Sequence, residues 1–276
     1  MLMDDIEATL NRMIAFPSGT SSPDAAVELQ NAARALEVAD HIPLLTETCM
    51  SLCVELMENS PAQAATVHAV LTLLARCCMR EENRGLATRF GVFGLCILIL
   101  QGHRSLPEDT LFATFDLIST LCMNDGNTRR MMRPSISYVI AVMRERTDSL
   151  QLAFGGAVVL TTLTMLDNSN AALAVEQGCV QLLITSFIRA YDQKRQLMCQ
   201  RTSHASLRKK EGEQRLCENV MRWSHDALRK LVQFPFPVVD EKLEAADFGN
   251  YGSRLEVDDL KWTLKFERRK VKVNSP

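Results

Sequence analysis

The chain reads as an all-α repeat protein, a solenoid of stacked helices, on three observations. Leu, Ala, Met and Cys are plentiful while aromatic residues make up only 6%, a mix that suits helices packed by aliphatic side chains. Apolar residues recur at i, i+3, i+4 and i+7 in successive segments, the spacing of an amphipathic helix. One stretch of sequence also returns three times at nearly constant spacing, as repeat architectures do.

The repeat is visible in ENRGLATRFGVFGLCILIL from Glu82, GNTRRMMRPSISYVIAVMR from Gly126 and SNAALAVEQGCVQLLITSF from Ser169, which align without gaps. Asn83, Asn127 and Asn170 hold the second place, at steps of 44 and 43 residues. Eight positions beyond each Asn stands a small residue (Gly91, Ser135, Gly178), followed by an apolar run. A further helical pattern precedes each segment. Ala64 to Cys78 carries Val67, Val70, Leu71, Leu74 and Cys78 on one stripe, Leu111 to Cys122 carries Leu111, Phe112, Phe115, Ile118 and Cys122, and Ala157 to Leu166 is almost wholly apolar. The unit is therefore long helix, polar turn, short helix, tight turn, medium helix. The turns MREEN, MNDGN and LDNSN supply Asn, Asp and Ser side chains suited to helix N-caps.

The turns LCMNDGN and LTMLDNSN, the helix ends LISTL and VVLTT before them, and the stretch EQGCVQLL resemble the armadillo repeat family. In EQGCVQLL, Gly178, Val180 and Leu183 match the family's Gly, branched apolar residue and Leu. The resemblance covers Ala62 to Ala190, and three helices in about 40–47 residues fit it. It implies an armadillo-type α-solenoid, a right-handed superhelix of three-helix repeats. Two-helix HEAT repeats are the nearest alternative, against which the short middle helix and its following Gly argue.

The flanks are less regular. Residues 1–60 read as N-terminal helices forming a divergent first repeat or cap: Met3 to Ala15, a break at FPSGTSSP, then two helices in Asp24 to Met57 with Ile42, Leu45 and Leu52 buried. Residues 61–190 hold the armadillo-like repeats and 191–215 a polar, basic insertion. Residues 216–234 form a final long helix burying Leu216, Val220, Trp223, Ala227, Leu228 and Leu231. Residues 235–276 form a tail opened by FPFPVVD, whose prolines end helical structure. It is acidic from Asp240 to Asp259 and basic from Lys261 to Lys272. Leu260, Trp262, Leu264 and Phe266 alternate with polar residues, an extended pattern.

Bulk properties exclude several classes. A net charge of −2 gives no global pull toward nucleic acid or anionic membrane. The start MLMDDIEATL lacks the basic and apolar regions of a signal peptide, and the apolar run Gly91 to Leu100 is half of a membrane span. Nine cysteines without an export signal indicate a reducing, cytoplasmic setting, with a cytoskeleton-associated or nuclear location as the alternatives. Cys49 and Cys53, one turn apart, read as one core stripe, and Cys77 and Cys78 as pointing to different sides of a helix. The set Cys199, His204, Cys217 and His225 has no zinc-finger spacing. The sequence holds no GxxxxGK phosphate loop, HExxH or GxSxG motif. Gly155-Gly156 reads as a close helix contact. No cofactor, metal or catalytic residue is expected.

The resemblance assigns a partner-binding groove to the stacked long helices, where importin-type members carry Trp and Asn four residues apart. Aligned here, the Asn column reads Arg76, Thr120, Thr162 and Lys230, and the Trp column Thr72, Asp116, Val158 and Asp226. The Trp-Asn signature is absent, which argues against a receptor for nuclear localisation signals. The tail offers a second surface, Trp262, Leu264 and Phe266 with Arg268 and Arg269, because large apolar residues on a charged tail must dock somewhere. The expected function is a non-enzymatic adaptor or scaffold with protein partners. A structural subunit of a cytoskeletal, axonemal or other large assembly, and a regulatory subunit of an enzyme, are the alternatives.

Overall fold

A computed structural model describes residues 2–15, 23–37, 42–59, 64–199, 207–233, 260 and 263–264. The chain divides into two compact units, Met1–Ser135 and Ile136–Pro276. The first holds α1 (Leu2–Ala15), α2 (Pro23–Glu37), α3 (Glu47–Asn59), α4 (Ala64–Cys77), α5 (Glu81–Arg89), α6 (Val92–Gln101), α7 (Glu108–Leu121) and α8 (Gly126–Met131). The second holds α9, which opens at Ser135 on the boundary and runs to Glu145, then α10 (Leu150–Thr164), α11 (Asn168–Glu176), α12 (Cys179–Cys199) and α13 (Leu207–Leu231). No strand occurs among the described residues.

Periodicity explains the packing. In the first unit α2 packs on α1 and α4, and α4 on α7, while α1, α3 and α6 form a second row. In the second, α13 lies against α10 and α12, with α11 packed on both of them. Leu111, Phe115 and Ile118 of α7 and Val67, Val70, Leu71 and Leu74 of α4 are fully or almost fully buried, as their spacing requires. The α10 helix is buried nearly all round. A Cβ at Gly156 there would overlap the thioether of Met143 in α9, so this glycine serves close packing.

Each long helix ends with orphan carbonyls, and the next short helix satisfies them. Asn83 is wholly buried and its Nδ2 donates to the Cys77 carbonyl at 2.8 Å. Asn170 Nδ2 donates likewise to the Leu163 carbonyl at 2.9 Å. In the middle repeat the equivalent donor is Arg129, which reaches the Cys122 carbonyl at 3.3 Å, while Asn127 is exposed. The gapless alignment is therefore out of register there. Asn83 and Asn170 are the third residues of α5 and α11, whereas Asn127 is the second of α8, so Thr128 and Arg129 take the buried places.

The two acidic turns behave as the sequence indicates. Asp125 accepts the Asn127 N–H and Asp167 the Asn170 N–H, both at 2.9 Å. Gly91 (φ 73°) and Gly178 (φ 84°) make the next corner in the left-handed region, where glycine has no Cβ penalty. Ser135 instead opens α9, its hydroxyl donating to the Met132 carbonyl at 2.6 Å.

Other expectations need adjustment. Leu45 is buried, but in the extended stretch before α3, and Ile42 and Leu52 are only half-buried. The α3 helix instead buries Cys49, Met50, Cys53, Leu56 and Met57. Cys77 and Cys78 are both buried because the chain leaves the helix between them. The 191–215 stretch is helical wherever it is described, as the end of α12 and the start of α13. Trp223 and Leu216 stay half-exposed. In the tail, Leu260, Thr263 and Leu264 are helical, and both leucines are 2% exposed. The helical backbone at these three residues departs from the extended pattern, although the burial of Leu260 and Leu264 on one side agrees with it.

Candidate partner-binding face

The eight groove positions fall on the long helices. In the first unit Thr72 and Arg76 lie on α4, with Asp116 and Thr120 on the adjoining α7. Arg76 bridges three successive long helices. Its Nη2 lies 2.7 Å from Glu37 Oε1 at the end of α2, and its Nη1 3.7 Å from Asp116 Oδ2. Arg76 Nε is buried with no hydrogen-bond partner among the described residues. Burial pushes the Asp116 carboxyl above its ordinary range, the Arg76 guanidinium opposes that shift and Glu37 adds to it. The face is thus a mixed-charge ladder.

Thr72 and Thr120 turn their hydroxyls onto their own helices, donating to the His68 and Asp116 carbonyls at 2.8 and 2.9 Å. Thr120 is 4% exposed and therefore belongs to the wall rather than the surface. A threonine bonded this way keeps only acceptor capacity, so it cannot supply the donor of an amide clamp.

In the second unit Val158 and Thr162 lie on α10, and Asp226 and Lys230 on the adjoining α13, all half-exposed. Thr162 donates to the Val158 carbonyl at 3.0 Å, and Lys230 Nζ reaches Met165 Sδ at 3.4 Å. Beside Asp226, burial lowers the pKa of His225, with Asp226 opposing and Arg229 assisting.

Sequence columns missed a row one turn upstream on the same helices. His68 and Phe112 in the first unit, and Phe154 and Trp223 in the second, are all half-exposed. His68 Nδ1 lies 3.1 Å from the Asp109 carbonyl. These residues precede the expected Trp column by three or four positions, so extending each column by a turn exposes the pattern.

Of the tail residues, Leu264 is buried, and Trp262, Phe266, Arg268 and Arg269 lie outside the described residues. His204 does too. No group of three or more His, Cys, Asp or Glu among the described residues is arranged to hold a metal ion. No single helix there is long and apolar enough to cross a membrane.

No family model and no curated protein matches the chain. Solved structures do. A designed armadillo repeat protein in complex with the peptide (KR)4 superposes with a TM-score of 0.61 at 11% identity, over 96% of this chain and 99% of that one. Computationally designed armadillo repeat proteins for modular peptide recognition give 0.63 at 11% identity, over 95% and 99%. The fold of this chain is that of an armadillo-type α-solenoid.

Proposed function

We propose that the chain is a non-enzymatic adaptor that binds an extended segment of a partner protein on its long-helix faces. The observation that carries this reading is the set of half-exposed residues on adjacent long helices: Thr72, Arg76 and Asp116 in one unit, Val158, Asp226 and Lys230 in the other. The positions flanking Thr72, Arg76, Asp116 and Val158 are buried, while Asp226 and Lys230 share a wider exposed face with Arg222 and Arg229. Structural neighbours described as binding peptides support a peptide as ligand. The absence of the amide clamp, with Arg76, Asp116, Asp226 and Lys230 in its place, favours recognition of charged side chains over a uniform backbone grip. Nine free thiols support a reducing, cytoplasmic setting.

Photo-crosslinkers placed at Thr72 and Val158, with controls at Leu98 on α6 and Gln181 on α12, test this in the native cell. The adaptor reading expects one partner set from Thr72 and Val158 and none from the controls. Crosslinks confined to Leu98 or Gln181 would overturn it. A second reading, a subunit embedded in an assembly, is favoured by large apolar side chains left in solvent: Leu166 at 90% exposure, Leu98 at 61% and Met131 at 54%. It expects fixed-ratio partners at all four positions.

A further inference from the structure

We infer that the end of the second unit carries a separate docking element, the projecting α12–α13 hairpin, which takes an acidic amphipathic segment of a partner protein. The α12 helix has 21 residues where α6 has 10, and α13 has 25 where α4 and α7 have 14 each. Ten or so extra residues on each arm add about 15 Å at 1.5 Å per residue. No residue from Leu207 to Leu216 is buried, and burial in α13 begins at Cys217. The first ten residues of α13 therefore do not serve the core of the repeat, whereas the added turns of α12 bury only Ala190, Tyr191 and Leu197; α13 holds eleven charged residues.

The hairpin encloses a groove of about 380 Å³ lined by Tyr191, Lys194, Arg195, Met198, Gln214 and Glu218. Four of these are α12 positions at i, i+3, i+4 and i+7, one helical face. Met198, 65% exposed, supplies the apolar surface, and the buried Tyr191 forms the floor of the groove. Lys194 Nζ lies 3.2 Å from Glu218 Oε1 and ties the two walls together. Arg195 makes no ion pair among the described residues. Between residues 190 and 218 the sequence carries seven Lys or Arg against four Asp or Glu, in a chain of net charge −2. Exposed Leu207 and Cys199 continue the apolar surface toward the tip.

Charge complementarity selects the occupant. An exposed guanidinium beside a solvent-exposed thioether fits a carboxylate next to a large apolar side chain. A volume near the lower end of ligand pockets takes side chains from one face of a helix or strand. Glu218 in the opposite wall is held by Lys194, which leaves Arg195 as the cation that meets the segment's carboxylate.

The test is a display library of 14-residue peptides selected against the full chain, with the R195E/M198D chain as counter-selection. Both positions are solvent-exposed, and circular dichroism checks that the variant keeps its helices. The inference expects enriched peptides to combine Asp or Glu with Leu, Met or Phe. They should bind the variant at least ten-fold more weakly, and lose affinity as salt rises. Substituting Lys for the peptide's acidic residue should restore binding to R195E. Enrichment of basic or uncharged peptides, or equal affinity for both chains, would overturn it. So would Arg195-dependent binding to phosphatidylserine vesicles without peptide binding. Failure at Thr72 and Val158 in the crosslinking experiment leaves this result standing, and the reverse also holds.

Discussion

Asn83 accepts the backbone N–H of Leu45 on its Oδ1 at 2.9 Å, joining the stretch before α3 to the turn after α4. Its Nδ2 donates to the carbonyls of Pro43 and Cys77, at 2.9 and 2.8 Å. Asn83→Ala leaves those buried groups without partners, which should cost about 3 kcal/mol. Asn127→Ala, at the position the sequence repeat equates with it, should stay within about 0.5 kcal/mol because Asn127 is exposed. Urea unfolding of the two variants separates them. Equal losses would restore the gapless register.

Gly156 against Met143 gives a second expectation. Gly156→Ala gains about 1 kcal/mol of helix propensity but forces the buried Met143 side chain aside, and overpacking of this kind costs about 1–3 kcal/mol. The variant should be destabilised, and Met143→Ala in the same chain should recover part of the loss. Thermal unfolding of the single and double variants reads the coupling. Strict additivity would mean the two residues do not touch.

The thiols should differ sharply. Eight cysteines are buried and Cys199 alone is exposed. Burial pushes Cys77, Cys78 and Cys122 up to about 12, so almost none of their thiolate exists at neutral pH. A disulfide reagent at pH 8 should modify one thiol in the native protein and nine in denaturant. Cys199→Ser should abolish the fast phase.

Legibility followed the origin of each signal. Helix stripes such as Val67–Leu71–Leu74 report burial directly, so the long helices and their order were readable. The Asp125 and Asp167 caps were readable because a cap is a local contact. Asn127 misled because the sequence records residue type, whereas burial depends on where α8 begins. In the tail, alternation puts Leu260 and Leu264 on one side and both are buried, but the surface that covers them is tertiary and no local pattern names it. The Arg76–Asp116 pair was placed on one face by the repeat alignment, but its link to Glu37 joins positions that no alignment of long-helix columns compared.

His225 sets a pH expectation. Burial lowers its pKa below the ordinary 6.5, so the unfolded chain binds the proton more tightly than the folded one. The stabilisation is full above about pH 6.5 and is lost as pH falls through the folded value. Asp116 is raised instead. There the folded state takes the proton first and gains stability as pH falls, which opposes the His225 effect. Denaturation midpoints should fall between pH 7 and pH 5, and His225→Gln should flatten that slope.

The buried tail leucines distinguish docking on the chain's own body from docking on a partner. Leu260 and Leu264 are each 2% exposed with only this chain present, so the surface that covers them is its own. Replacing both by Ser removes two buried apolar side chains, each worth about 2–5 kcal/mol on truncation. The double variant should unfold at lower urea concentration, and trypsin should cut after Lys265 sooner than in the parent. Because the contact is intramolecular, the shift should not depend on protein concentration. Unchanged stability and unchanged cleavage would mean that these leucines contribute nothing to the isolated chain, and would return the tail to the role of a partner-binding segment.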